Sequence, residues 1–500
     1  MGSVGPLQSL EITKIGVIGT GVMGSMLSLL FAEHAGVDVS IYDRSETSMQ
    51  LAVEKANKAG LGDRVHACKD YETLCQSLGS PKIFLFSLPH GPPGDRVVRT
   101  LEPYLRKGDV VIDGSNENFH VTQKRQAFLQ PRGVSYIGMG VSGGFNGARH
   151  GPSLMPSGDE WALDRLMPLL TKIAAKDELG RPCVTKIGTG GSGHYVKMIH
   201  NGIEHGVMSV LCEAWEIMDS CLRMTGDEIG DVFESWNEKG ELRNNFLVAI
   251  SGPICRTRNE DGNGFLLHDI GDAVVQDAND SEGTGVWANL EAVSSHVPAP
   301  SLTAAHYLRL ASANVGQRRQ VGNSLGAVSP GKIILDRNQR QSFLEDLRKA
   351  VYATVLLCFI QGLDLLRQAS ERQGWGIDLE QVVRIWRAGC IIKSDDITDL
   401  FERHYARSPG QHPLLGTEIC SELRRCWPSL KTVVLKGLEV DAHLPALGAS
   451  LEYLKYSGST NLPTSFMEAQ LDAFGAHGYE LKGEQNGYMA KGKHHSHWSQ

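Results

Sequence analysis

Lys197, His200, Asn201 and Glu204 are the residues of this 500-residue chain whose types and spacing most directly offer chemistry. They lie in Gly193-His194-Tyr195-Val196-Lys197-Met198-Ile199-His200-Asn201-Gly202-Ile203-Glu204, a segment that reads as a helix. At about 100° per residue, positions i, i+3, i+4 and i+7 share one face over two turns. An amine, an imidazole, an amide and a carboxylate aligned in this way can move protons and hold a polar ligand. An exposed ion-pair face would look similar. Apolar Val196, Ile199 and Ile203 on the opposite face, with glycine-rich loops beside the helix start, favour a stripe lining a cleft.

A second group lies near the N-terminus. Gly19-Thr20-Gly21-Val22-Met23-Gly24 follows a strand pattern, Lys14–Ile18, and opens a helical one, Ser25–Glu33. In that setting the glycines permit a tight turn and close approach of a dinucleotide pyrophosphate, whose charge meets the unpaired N–H groups of the helix N-terminus. The next strand pattern ends at Tyr42-Asp43-Arg44-Ser45, with Asp43 nineteen residues after Gly24. Asp43 suits the ribose hydroxyls of NAD, whereas Arg44 could clasp the 2′-phosphate of NADP, which Asp43 would repel. Both could also be solvated charges at a strand end.

The elements that must position these groups change character along the chain. Candidate strands Lys14–Ile18, Asp38–Tyr42, Ile83–Phe86, Asp109–Ile112 and Val134–Ile137 alternate with helical patterns, the form of a doubly wound parallel sheet. Beyond about residue 190 long helical segments such as Tyr195–Met218 and Ser342–Ser370 take over, and convincing strands disappear. The expected fold is an α/β dinucleotide-binding domain over 1–190, an all-helical substrate and dimerisation domain over 191–482, and a C-terminal arm over 483–500. The 190 boundary rests on the change of pattern and on Gly188-Thr189-Gly190-Gly191.

Composition narrows the function classes. The 56 glycines are about 11% of the chain, against an average near 7%. A net charge of -8 and the lack of a basic run argue against nucleic acid. None of the ten cysteines has metal-ligand spacing, so reduced thiols and no metal are expected. The N-terminus has no signal-like apolar run, and the stretch Val351–Leu366 is too short and too interrupted to span a bilayer. A cytoplasmic protein without a membrane partner is expected.

The sequence resembles the decarboxylating 6-phosphogluconate dehydrogenases. The resemblance runs through GVMG, Gly140-Val141-Ser142-Gly143-Gly144, Gly147-Ala148-Arg149-His150-Gly151-Pro152-Ser153-Leu154-Met155-Pro156, the Lys197 to Glu204 helix, Ile385-Trp386-Arg387-Ala388-Gly389-Cys390-Ile391-Ile392 and Phe474-Gly475-Ala476-His477. It implies oxidation and decarboxylation of 6-phosphogluconate with NADP, or NAD, a step of the pentose phosphate pathway. It casts Lys197 as the base at the C3 hydroxyl and Glu204 as the acid that protonates the enediol. It assigns Asn116, Ser142, Gly143, Gly144, His200 and Asn201 to the sugar acid. Gly19, Thr20, Gly21, Val22, Met23, Gly24, Asp43, Arg44, Ser45, His90 and Asn116 fall to the cofactor, with Met23 supporting the nicotinamide. A homodimer is implied, each site completed by His477 from the C-terminal segment of the other subunit.

At the phosphate end the chain departs from the family. His205 replaces a tyrosine, Glu282 a lysine before the Gly-Thr-Gly run, and Leu471 an arginine; Thr284, Arg309 and His477 remain. A charge-assisted contact to a buried anion contributes about 1.5 to 3 kcal/mol, so losing two would weaken phosphate binding by about two or more orders of magnitude. Glu117 stands where the family has a serine, and Ser87-Leu88-Pro89-His90-Gly91 where it has Val-Lys-Ala-Gly. Alternatives therefore stand beside 6-phosphogluconate: a paralogue acting on an unphosphorylated or otherwise different hydroxy acid, and a silent dinucleotide-binding protein.

Overall fold

Strands such as Ile83-Phe84-Leu85-Phe86, buried at all four positions, are what a parallel sheet covered on both faces requires. In the computed structural model, which describes residues 12–279, 281, 283–484 and 491–498, β1 (Lys14–Ile18), β2 (Asp38–Tyr42), β3 (Val65–Ala67), β4 (Ile83–Phe86), β5 (Val110–Asp113), β6 (Ser135–Ser142) and β7 (Ser153–Ser157) form one sheet in the order β3-β2-β1-β4-β5-β6-β7. All neighbours are parallel except β6 and β7. The period of two sorts the side chains: Ile83 and Leu85 join one core with Leu30 and Leu166, while Phe84 and Phe86 join another with Leu101 and Leu129.

Three expectations shift by a few residues. Asp109 lies before its strand, its carboxylate accepting the N–H of Arg106 in the preceding turn (2.8 Å) and that of Lys82 just ahead of β4 (2.7 Å). β6 runs on to Ser142, and the first helix begins at Val22, directly behind Gly21. β3 and β7 were not expected.

After β7 no further strand occurs among the described residues. The helices Ser192–Glu216, Arg337–Gln373 and Thr417–Glu439 build the helical part, the second packing on both others. Every residue from Ala350 to Leu366 is buried. That helix is long and apolar enough to cross a membrane, and 94% of its apolar window is covered by protein. All ten cysteines are unbridged.

The chain divides into a unit ending at Ser450 and a unit from Leu451. In the second, Asp472 on the helix Thr464–Gly475 accepts hydrogen bonds from Gly478 N (2.9 Å), Ser496 N (3.1 Å) and Trp498 Nε1 (2.8 Å). Residues 1–11 and Glu282, together with 485–490 and 499–500 of the expected arm, lie outside the described residues.

The helix Ser192–Glu216 sits directly on the sheet. A Cβ at Gly193 would stand 2.0 Å from the carbonyl oxygen of Met155 and 2.6 Å from that of Gly138. Gly193→Ala is therefore expected to cost about 1 to 3 kcal/mol or more, as overpacked interiors do. A lower melting temperature would show this; an unchanged melt would contradict the close seating of this helix.

Candidate active site

The loops expected to bind ligands all leave the carboxyl ends of the parallel strands, where open α/β sheets place their crevice. Gly19–Gly24 follows β1, Asp43–Ser45 follows β2, Ser87–Gly91 follows β4, Asn116 follows β5, and Ser142–Gly144 closes β6. β1 and β4 are neighbours, so the chain order reverses beside the glycine turn.

The three glycines of that turn do different work. Gly19 has φ +95°, and a Cβ there would meet Ser87 O at 2.2 Å; one at Gly24 would meet Gly19 O at 1.9 Å. Both seal the turn. A Cβ at Gly21 would have nothing within 4 Å, and Gly21 begins the helix Val22–Leu30 without a side-chain cap. Open space facing uncapped N–H groups fits a pyrophosphate. Asp43 turns its carboxylate inward, accepting from Thr20 N (2.7 Å) and Ser45 N (2.9 Å), whereas Arg44 is exposed with no ion-pair partner among the described residues. Met23 is half-buried against the sheet core. Asn116 is exposed at its strand end, and the His90 ring meets Trp287 edge-on at 5.2 Å.

On the helix Ser192–Glu216 the stripe is almost wholly enclosed: Lys197 is 6% exposed, His200 0% and Asn201 8%. Val196, Ile199 and Ile203 behind it are fully buried. The Lys197 stem packs where Gly140 leaves room, since a Cβ on Gly140 would come within 2.5 Å of Lys197 Cβ. His200 Nε2 lies 2.9 Å from Ser142 Oγ and 3.0 Å from Cys390 Sγ; Nδ1 lies 3.1 Å from Asn201 Oδ1 and 3.7 Å from Glu204. Acceptors beside Nδ1 and two donors beside Nε2 assign the proton to Nδ1. Burial holds the imidazole well below its ordinary range, so it stays neutral. Burial likewise pushes the Cys390 thiol up to about 12, leaving it a donor.

Asn201 Nδ2 donates to Thr284 Oγ1 at 3.0 Å, joining the stripe to the distal end. There His205 is 5% exposed, touches the Arg309 guanidinium and stacks with His306 at 6.1 Å and 9°. Arg309 binds Asp277 at 2.8 Å. Ser142 and the positive-φ residues Gly143 and Gly144 abut the Gly389–Ile391 segment, where Ile391 N reaches Ser142 Oγ at 3.4 Å. Thus Lys197, His200, Asn201, Glu204, His205, Ser142, Thr284 and Arg309 come together. His477, exposed, and Leu471 belong to the second unit. Two of these contacts have no local signature in the sequence: Cys390 meets His200 across 190 residues, and His306, three residues before Arg309, stands in no motif.

Comparison with known proteins extends over both halves. The NAD binding domain of 6-phosphogluconate dehydrogenase matches residues 14–188, and the 6-phosphogluconate dehydrogenase C-terminal domain matches 193–498. The decarboxylating 6-phosphogluconate dehydrogenase of Emericella nidulans is 45% identical, over 95% of this chain and 99% of its own length. A second decarboxylating enzyme, from Arabidopsis thaliana, is 35% identical over 94% and 96%. Plasmodium falciparum 6-phosphogluconate dehydrogenase, solved apo, with its cofactor NADP+ and with its substrate 6-phosphogluconate, superposes with a TM-score of 0.87 at 33% identity, covering 97% of this chain and 100% of that one. Matched in both domains and along nearly its whole length, the chain belongs to the 6-phosphogluconate dehydrogenase family.

Proposed function

We propose that this chain oxidises and decarboxylates 6-phosphogluconate to ribulose 5-phosphate with reduction of NADP. The observation that carries the reading is the enclosed stripe of Lys197, His200, Asn201 and Glu204 facing the Ser142 turn at the open end of the sheet. The turn at Gly21 and the uncapped helix behind it would hold the pyrophosphate, and the nicotinamide would supply the hydride acceptor for the oxidation at C3.

Lys197 enters uncharged and takes the proton of the C3 hydroxyl. The resulting β-keto acid loses carbon dioxide readily, and the Lys197 ammonium donates a hydrogen bond to the developing enolate oxygen. Glu204, one helical turn beyond His200, then protonates the enediol carbon. His200, neutral, donates through Nδ1 and accepts at Nε2, so it orders the pocket without adding charge. Asn116, Ser142, Gly143, Gly144 and Asn201 hold the carboxylate and hydroxyls, while Thr284, His205 and Arg309 receive the distal end.

The distal end also favours a second reading, a hydroxy acid without the phosphate, because the Arg309 charge is already met by Asp277 at 2.8 Å. Turnover of 6-phosphogluconate, gluconate and related acids with NADP and with NAD decides between them. A clear kcat/KM advantage for 6-phosphogluconate supports the main reading; an advantage for gluconate overturns it. For the cofactor, Asp43 held by the N–H groups of Thr20 and Ser45 leaves Arg44 as the charge open to a 2′-phosphate. Arg44→Ala should raise KM for NADP far more than for NAD, and equal effects would remove Arg44 from this role.

A homodimer in the cytoplasm completes the proposal, with dinucleotide-binding, helical and arm segments over 1–190, 191–482 and 483–500, and with His477 acting in trans. Its support is a set of exposed apolar side chains, Leu290 (62%) and Val293 (73%) on one helix and Tyr307 (65%) on the next, of the kind subunit contacts cover. Sedimentation should give a dimer at assay concentration; a fully active monomer would refute it.

Lys197→Ala should abolish reduction of NADP, and Glu204→Gln should slow overall turnover with a smaller effect on hydride transfer. Positioned acid–base groups contribute about 10² to 10⁴-fold each. A folded Lys197→Ala protein with wild-type turnover would refute the roles given to the stripe.

A further inference from the structure

Beneath the crevice lies a buried charge cluster to which the reaction assigns nothing. Arg125, on the helix Phe119–Leu129, is 4% exposed. Its guanidinium binds Asp113 at the end of β5 (3.1 Å) and Glu117 in the loop that follows (2.9 Å). It also donates to the carbonyl of Gly91 in the loop after β4 at 2.7 Å, and reaches Asp95 at 2.8 Å. Asp113 is 1% exposed and Glu117 2%, whereas the Asp95 side chain is 52% exposed.

Glu117 uses both carboxylate oxygens. Oε2 accepts from Gly91 N at 2.8 Å as well as from Arg125, and Oε1 accepts from Asn118 N at 2.8 Å. Gly91 is thereby gripped at its N–H by Glu117 and at its carbonyl by Arg125, in a conformation (φ +76°) that a side chain would strain. Its neighbour His90 and the residue before Glu117, Asn116, are the two positions of these loops that face the ligands in the reading above. The cluster also continues to the striped helix: the Asp113 carbonyl lies 3.0 Å from His194 Nε2, one turn before Lys197.

We infer that Glu117 is a positioning residue, which with Arg125 locks the loops after β4 and β5 into one preformed wall for the nicotinamide half of the cofactor. This rests on the proposed reading of the crevice. Preformation lowers the ordering cost of binding, so its loss falls on cofactor affinity before it falls on the chemical step. A glutamine cannot substitute, because its NH2 would face one of the three N–H donors that Glu117 now accepts.

Glu117→Gln and Asp95→Asn each remove one carboxylate from the same guanidinium, but only Glu117 holds the loops. NADP+ affinity of the free protein, measured by intrinsic fluorescence, and KM and kcat in the oxidative assay are the readouts, with a thermal melt for each variant. Glu117→Gln is expected to weaken NADP+ binding and raise its KM by about tenfold, to change kcat by less than about threefold, and to melt close to the wild type. Asp95→Asn should leave all of these unchanged. Equal effects from the two variants, unchanged NADP+ binding in Glu117→Gln, or loss of kcat in step with a lowered melt would each overturn the inference. The titration needs no turnover, so it gives its answer even if the wild-type protein proves to act on another sugar acid.

Discussion

The site depends on how closely one helix can lie on one strand. Gly193 brings the start of Ser192–Glu216 against the carbonyl oxygens of Met155 and Gly138, and Gly140 leaves the space that the Lys197 stem occupies. Side chains at these positions would lift the helix by roughly an ångström or more, since non-bonded carbon contacts need about 3.5 Å. The separation of Lys197 and His200 from the Ser142 turn would grow with it. Glycine is thus used for proximity, and the sheet and helical parts share this element as a common wall.

Proximity also sets the electrostatics. Enclosed between the strand end and the Gly389–Ile391 segment, His200 is neutral and meets the hydroxyl of Ser142 and the thiol of Cys390 at normal hydrogen-bond distances. Burial keeps this imidazole uncharged, so it serves the pocket as a hydrogen-bonding group and not as a cation. The cofactor end has the opposite character. There Asp43 is satisfied by Ser45 N of its own turn and Thr20 N of the glycine turn, and the basic side chain of Arg44 projects outward. Between the ends, the Arg125 cluster is dense in charge yet nearly dry. Burial alone would raise the Asp113 carboxyl, but His194, Arg125 and the donors from Tyr136 and Ser115 hold it below the usual carboxylate range.

Much of this was legible in the residues, and what was not has a physical reason. β1, β2 and β4 match their predicted bounds because apolar runs with turn residues at both ends leave little choice. β3 was invisible: Val65-His66-Ala67 has only one buried residue, and its pairing with β2 supplies what its composition lacks. β7 contains Pro156, which reads as a break, yet it pairs antiparallel at the sheet edge, where a missing N–H is tolerated. The stripe on the helix could be read because it is local, four residues within two turns. The Ser142–His200–Cys390 contact could not, since 58 and 190 residues separate its members. The same holds for the hold of Glu117 on Gly91 across 26 residues. Family resemblance pointed to the distal pocket, but only the fold put His306 on His205 and Asp277 on Arg309.

One claim underlies the rest: a single helix face serves both the oxidation and the loss of carbon dioxide. It is tested most directly by supplying the wild-type protein with 6-phosphogluconate labelled with carbon-13 at C1 and following NADPH and labelled carbon dioxide together. The account predicts equal amounts of the two from the first turnover onward. Reduction of NADP with the label retained in a six-carbon acid, or no reduction at all, would contradict it.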